Sequence, residues 1–407
     1  MDLSETPRTR DLRERLTAFL EEDVLPAEPI YEQQRFDAGD PHAEVPVMDE
    51  LKEKARSSGL WNLFHPDPEH GPGLSCLEYA PLAEISGRSH IAAEAINCSA
   101  PDSGNMELLS LFASHEQKEE WLLPLLDGRI RSAFAMTEPD VASSDARNVQ
   151  LRIERNGDEY VLNGRKWWIT GGMRSRCRVF IVMGKTEAEA PAYRQQSMIL
   201  VPRDTPGLKI VRDLSVFGYS DQEGHAEIHL DEVRVPAANL LGGEGDGFMM
   251  AQARLGPGRV HHCMRAIGAA EHALELLCRR ALERVTFGAP VATRSNVLDW
   301  IAEARVDIEM TRLLTLKTAW MIDEMGNRNA RTEIAAIKVA APTMALRVID
   351  RAMQIHGAAG MSGDFSLARS YAHMRCLRLA DGPDEVHRLS IARRELARYE
   401  RSESGAS

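Results

Sequence analysis

The feature that most constrains this chain is a change of hydrophobic period that happens twice. Over the first ~130 residues apolar positions recur at helical spacing, as at Leu12, Leu16, Phe19 and Leu20. Ser114 followed by Gln117 makes a capping box ahead of "KEEWLLPLLDG". From Arg131 the period becomes two: Val149, Leu151 and Ile153 share one side of a strand, and Asn156-Gly157 supplies a tight hairpin turn. Asn163-Gly164 reads as a second turn. The runs "RKWWIT", "RVFIVM", "SMILVP", "LKIV", "AEIHL" and "VRVP" then read as strands joined by Gly, Pro or Asp stretches. After "GGEGDGF" at 242–248 the helical period returns, with Leu298, Ile301 and Ile308 on one stripe and Ile334, Ile337, Met344 and Val348 on another. The pattern predicts an α+β chain: a helical domain over 1–130, an antiparallel β domain over 131–243 and a helical bundle over 244–407. Pro257 and Pro342 are expected to bend or interrupt the late helices.

Size and charge narrow the classes. A chain of 407 residues with 43% hydrophobic residues can bury a large core in two or three subdomains. No apolar run approaches the ~18 to 20 residues that a membrane span requires. Its 61 acids against 49 bases give a net charge of −12 without a basic block. That argues against nucleic acid or an acidic membrane held by an overall positive field, so an anionic ligand needs a local basic pocket. The opening "MDLSETPRTRDLRERL" lacks an apolar signal core, and a cytoplasmic location is expected. The six cysteines are scattered with neither a CxxC pair nor zinc-like spacing, so buried free thiols and no metal are expected. His261 and His262 do not change this, because neighbours on a helix point about 100° apart.

One short stretch asks for chemistry. In "RLADGPDEVHR" (378–388), Pro383 can open a helix that Gly382 caps, with Asp384 and Glu385 offsetting the positive end of its dipole. Asp381 is left without a structural reason.

Five separated stretches, "FAMTEPDVASSD" (134–145), "NGRKWWITGG" (163–172), "RVTFG" (284–288), "QIHGAAG" (354–360) and "ADGPDEVHR" (380–388), together resemble the acyl-CoA dehydrogenases, in the right order and over nearly the whole chain. The resemblance implies a helical N-terminal domain, a middle antiparallel β-barrel and a C-terminal helical bundle. It also implies FAD between the last two, with a coenzyme A thioester against the isoalloxazine ring. By that resemblance Phe134, Met136, Thr137 and Ser143 meet the ring's pyrimidine edge, and Trp168, Ile169 and Thr170 lie along it. Trp168 and Thr170 are two apart on a strand and so share a side. Arg284, with Phe287 beside it, is similar to the arginine that meets the FAD pyrophosphate, usually from the neighbouring subunit. Gln354, Gly357 and Ala358 fall at the turn near the adenosine, and Pro383, Asp384 and Glu385 start a helix beside the cofactor. Read without the family, Trp167-Trp168 is core packing, Arg284 a charge at a helix C-terminus, and Gly357 the end of a helix.

On the substrate side the resemblance implies Ser144, Gly256, Arg259 and Gly382, with Asp381 as the base. Removing the hydrogen α to a thioester carbonyl needs a positioned base and donors for the developing enolate. The chain has Asp where many members have Glu, a longer "TEPDVASSD", Gly256 in place of a frequent acid, and Ser295 where Gln is common. It looks nearest to the branch with the dehydrogenase part of kinase-fused mitochondrial members and stand-alone bacterial relatives. The expected function is dehydrogenation of an acyl-CoA to a trans-2-enoyl-CoA, with electron-transfer flavoprotein as acceptor, in a homodimer or homotetramer. The alternatives are flavin-dependent elimination or isomerisation of a 4-hydroxy- or 4-phospho-acyl-CoA, and a non-catalytic helical interaction protein.

Overall fold

In the computed structural model, which describes residues 2–404, eight helices precede the sheet. They are α1 (Pro7–Phe19), α2 (Leu25–Ala38), α3 (Pro46–Ser57), α4 (Cys76–Ser86), α5 (Ala92–Ala95), α6 (Asp102–Phe112), α7 (His115–Gln117) and α8 (Leu123–Leu126). The expected capping box closes on α7: Ser114 accepts from the Gln117 amide, and the Gln117 side chain accepts from the Ser114 amide. Leu12, Leu16, Phe19 and Leu20 are all buried, as their spacing requires.

Eight strands follow: β1 (Arg131–Ala135), β2 (Arg152–Asn156), β3 (Glu159–Thr170), β4 (Cys177–Lys185), β5 (Gln196–Pro202), β6 (Leu208–Asp213), β7 (His225–Pro236) and β8 (Leu240–Leu241). They form one sheet in the order β6-β7-β3-β2-β4-β5-β8, with β1 also on β4. Two points differ from the expected antiparallel barrel. β1 runs parallel to β4, as does the single β2–β4 pair Arg152↔Lys185, because the chain between β1 and β4 is a crossover long enough to allow parallel pairing. The pairing path is also open, with β6 and β8 at its ends and no pairing between them among the described residues.

Asn156-Gly157 does make the β2–β3 hairpin, with Asn156 opposite Glu159. Asn163-Gly164 is not a turn. Both residues lie inside β3, where the register shifts between Leu162 and Gly164, and a Cβ on Gly164 would come within 3.0 Å of the Leu151 Cα. Glycine is there for a close backbone approach at a bulge. The sheet core joins Leu151, Ile153, Tyr160, Leu162, Phe180, Val182, Ile199 and Val201.

The remaining helices are α9 (Gly247–Glu283), α10 (Ser295–Met325), α11 (Arg331–His356), α12 (Leu367–Leu377) and α13 (Asp384–Ser404). Neither Pro257 nor Pro342 interrupts its helix: α9 is continuous over 37 residues and α11 over 26. Ile334, Ile337, Met344 and Val348 are buried as expected, and so is Ile308. Leu298 is not; it is exposed with Val306, Met310 and Leu313 on a second apolar face of α10. Among the described residues no helix is long and apolar enough to cross a membrane. The chain divides into two compact units, each discontinuous in sequence: one holds Met1–Leu25, Gly73–Ala93 and Gly256–Ser407, the other Pro26–Pro72 and Glu94–Leu255. The N-terminal helices are thus shared between both.

Candidate active site

In the unit that carries the sheet, the site is built on a bulge. The β3–β7 register shifts between Lys166 and Ile169, and Trp168 takes a left-handed φ of 53° within the shift. The strand kink turns the indole outward, leaving Trp168 41% exposed. Ile169 points into the core, so any part it takes in binding is through its backbone. Trp168 and Thr170 do share a side, as alternation requires, because both meet one partner. His225 Nδ1 lies 3.0 Å from Thr170 Oγ1, and the two rings of Trp168 and His225 are 5.5 Å apart.

The neighbouring segment is tied to the bulge. The Trp167 amide donates to the Thr137 carbonyl at 3.1 Å, and the Thr137 hydroxyl donates back to the Trp167 carbonyl. Lys166 is fully buried, donating to Glu138 and to the Met136 carbonyl at 2.8 Å each. Glu138 also accepts the Gln150 and Leu151 amides at 2.7 and 2.9 Å. Ser143 Oγ accepts the Glu138 amide at 2.9 Å, closing the turn, while Ser144 is exposed. The Phe134 ring lies under the Arg254 guanidinium at 4.5 Å.

In the other unit the focus is Asp381. Its backbone is left-handed, φ 56°, and Gly382 follows at φ 102°. A non-glycine residue in that region costs roughly 1–3 kcal/mol and persists only where its surroundings impose it. Here they do. The Asp381 carbonyl accepts from Arg259 Nε and Nη2 at 3.1 and 3.0 Å and lies 3.2 Å from His387 Nε2. Lys338, fully buried, donates to the Leu377 and Ala380 carbonyls at 2.5 and 2.8 Å. Gly382 must stay glycine, because a Cβ there would meet His387 Nε2 at 2.9 Å as well as the strained φ. The Asp381 carboxyl group is left 19% exposed, with His262 Nε2 3.6 Å from Oδ2. That distance is too long for a hydrogen bond, and His262 is no cation: burial, then the Arg265 guanidinium, holds its imidazole far below the ordinary range.

Burial, followed by Arg259 and Lys338, likewise brings the His387 imidazole down to about 4. Since the unfolded chain protonates a histidine near pH 6.5, burying neutral His387 contributes stability that is complete above pH 6.5 and is lost as pH falls through about 4. The expected loss is about 3 kcal/mol, at about 1.4 kcal/mol per pH unit. Urea midpoints measured from pH 7 to 4 should fall for the wild type and fall less for His387→Asn. Arg259 has a different test: if Asp381 is the base that the resemblance implies, Arg259→Met should keep the fold but slow proton abstraction ~100-fold, since a shift of about 1 Å in a catalytic group can cost that much. Equal single-turnover rates would remove the anchor from its role.

The other expected residues divide. Arg284 Nη1 donates to the Ile355 carbonyl at 2.5 Å, and Gly357, φ 66°, ends α11 beside it; a Cβ at 357 would crowd that nitrogen at 3.3 Å. Gln354 and Ala358 are exposed at the same turn. Phe287 is 99% exposed on the hairpin of Val285–Thr286 and Ala289–Pro290. α13 begins at Asp384, one residue after Pro383, and Glu385 is exposed. Asp384 was expected beside the cofactor. Instead it is turned inward, 2% exposed, accepting from Arg378 Nε at 2.7 Å. Gly256 was expected along the thioester; the space of its missing side chain is filled by Asn327, whose Nδ2 lies 2.6 Å from where a Cβ would stand.

Sequence reasoning missed His225, Lys338 and His387, and weighed His262 only to set aside a metal role. Only His387 had a local signal, six positions after Asp381 at the start of a helix. Asp67, Glu69 and His70 also bring one donor atom each within 4.8 Å on an exposed loop, which no spacing motif announced.

Models of three acyl-CoA dehydrogenase domains match the chain in succession: the N-terminal domain over residues 6–129, the middle domain over 133–233 and the C-terminal domain over 245–396. The chain belongs to the acyl-CoA dehydrogenase family, oxidoreductases that act on CH–CH groups. Within the family it groups with FadE2 and with acyl-CoA dehydrogenase family members 10 and 11. It is 55% identical over 400 residues to the Mycobacterium tuberculosis protein "Probable acyl-CoA dehydrogenase FadE2", covering 98% of both chains. It is 54% identical over 384 residues to acyl-CoA dehydrogenase family member 11 of Gallus gallus, covering 93% of this chain and 49% of that one. The chain therefore spans about half the length of that relative. A solved structure from Mycobacterium abscessus superposes with a TM-score of 0.94 at 51% identity, over 97% of this chain and 100% of the other. The family is FAD-dependent, and structural relatives bind FAD.

Proposed function

We propose that the protein binds FAD and dehydrogenates an acyl-CoA to a trans-2-enoyl-CoA, with Asp381 as the base and electron-transfer flavoprotein as the electron acceptor. One observation carries this reading: Asp381 holds a left-handed backbone anchored on its carbonyl by Arg259 and His387 while its carboxyl group stays accessible. Strain kept in place by buried partners, around an acid whose side chain stays partly exposed, fits a catalytic group better than a helix cap. The Asp381 carboxylate takes the proton α to the thioester, and the backbone N–H of residue 381 can donate to the carbonyl as enolate character develops. FAD, when bound, supplies hydride acceptance from the β carbon.

The residues present fit such a cofactor. The exposed Trp168 indole offers a stacking face with the Thr170 hydroxyl on the same side. Phe134, Met136, Thr137 and Ser143 belong to the segment pinned next to it. Arg284 offers a planar fork for phosphate at the Gly357 turn, with Gln354 and Ala358 beside it. A homodimer or homotetramer is part of the proposal; the exposed Phe287 and the apolar face of α10 support it. The test is anaerobic mixing of the FAD-loaded protein with a panel of acyl-CoA thioesters. Bleaching of the flavin with loss of two hydrogens from the thioester is expected, and a protein that stays colourless after FAD addition would sink the proposal.

A second reading, elimination from a 4-hydroxy- or 4-phospho-acyl-CoA, is favoured by the altered substrate side: Asp stands at 381 where many members have Glu, and the space beside Gly256, where an acid is frequent, is filled by Asn327. Product mass decides: release of phosphate or water with the flavin returned oxidised supports this reading.

A further inference from the structure

We propose that His225 is a positioning residue that fixes the direction of the Thr170 hydroxyl, and through it the redox form of a bound flavin that the site favours. This rests on the FAD reading above. Thr170 and His225 stand directly opposite each other on β3 and β7, which places their side chains on one face. The hydroxyl is 3.0 Å from Nδ1, and the same imidazole lies 5.5 Å from the Trp168 ring. One ring therefore backs both residues assigned to the flavin. Its far side faces a carboxylate. His225 Nε2 lies 3.9 Å from Asp221 Oδ2, Asp221 Oδ1 accepts the Gly224 amide at 2.8 Å, and the His225 amide donates to Asp213 Oδ1 at 2.9 Å.

A threonine hydroxyl has a single proton to give, and a neutral imidazole has a single N–H. At 3.9 Å the Asp221 carboxylate is too far for a hydrogen bond, but its negative charge on the Nε2 side favours the tautomer protonated there over the one protonated at Nδ1, leaving Nδ1 as an acceptor. Thr170 then donates to His225 and turns a lone pair outward. By the family resemblance Thr170 faces the reactive ring nitrogen of the flavin, which accepts a hydrogen bond when oxidised and carries an N–H when reduced. An outward lone pair suits the N–H form and withholds a donor from the oxidised one. His225 thereby favours the reduced cofactor, with no bond to hydrogen broken in the side chains themselves. Alternation along β3 announced the Trp168 and Thr170 pair, whereas the imidazole that orients them comes from 55 positions away.

The measurement is the midpoint potential of bound FAD in the wild type, His225→Leu, Thr170→Val and the double variant. His225→Leu should lower it by about 30 mV, a tenfold change for a two-electron couple. The effect should vanish when Thr170 is already valine, since His225 acts only through that hydroxyl. Equal potentials in wild type and His225→Leu, or a shift of the same size without the hydroxyl, would overturn the assignment. Should His225→Leu fail to fold, spectra of wild-type holoenzyme labelled with nitrogen-15 histidine decide it. A protonated Nδ1 counts against the proposal, and a bare Nδ1 with a protonated Nε2 supports it. A chain that takes up no FAD defeats the functional reading and this one together, and does so visibly, by lack of colour.

Discussion

Asp381→Asn protein is expected to load with FAD and to bind acyl-CoA, yet to bleach ~10²–10⁴-fold more slowly than wild type in anaerobic stopped-flow mixing. The substitution keeps the size of the side chain and the carbonyl that Arg259 and His387 hold, so the left-handed turn should survive. What it removes is the carboxylate proposed as the proton acceptor. Neither neighbouring imidazole is a ready substitute. His262 and His387 both titrate far below neutrality; His262 stands 3.6 Å from the carboxyl oxygen, and His387 faces the Asp381 backbone carbonyl. A variant that bleached at the wild-type rate would move the base elsewhere and leave the strain at 381 unexplained.

The largest effect on stability should come from Glu94, far from that chemistry. Its carboxylate, 5% exposed, accepts from Lys52 Nζ at 2.7 Å, Arg131 Nη2 at 3.2 Å and Arg174 Nη1 at 2.6 Å. Arg174 also pairs with Glu44 at 2.7 Å, and Arg131 approaches Asp102 at 3.6 Å. Three buried cations thus face three acids. Breaking such a set from one side strands a charge in low dielectric, so Glu94→Gln should cost ~3–5 kcal/mol, read from urea or thermal unfolding. Adding Lys52→Met should recover part of the loss by removing the stranded charge, whereas a purely steric defect would be made worse. The three cations hold the Glu94 carboxyl well below the usual carboxylate range. Its contribution is therefore complete above the ordinary carboxylate pKa and disappears only as pH falls well below it.

How much of this was readable in advance differs by element. The β2–β3 hairpin was legible because Asn-Gly has a backbone preference of its own, and Gly157 takes φ 62° in the turn it makes. The same dipeptide at 163–164 misled, since there glycine serves a close approach to Leu151 inside a continuous strand. A local preference cannot tell a turn from a bulge; the neighbour does. The α10 stripe was half legible for a related reason: periodicity finds apolar faces but not which of them is covered, and Leu298 lies on an open one. Asp384 and Asp381, three apart, are both expected to face a ligand, Asp384 beside the cofactor and Asp381 as the base. Arg378, six positions before Asp384, draws that carboxylate inward and leaves the other outside.

By itself the sequence determined the helical, β, helical succession and the hairpin, because these rest on periods and preferences that act within a few residues. Tertiary structure alone decided that Asp381 is left-handed and that Thr170 meets an imidazole. The partners that impose those states, Arg259 on α9, His387 on α13 and His225 on β7, reach their places only when separate elements pack.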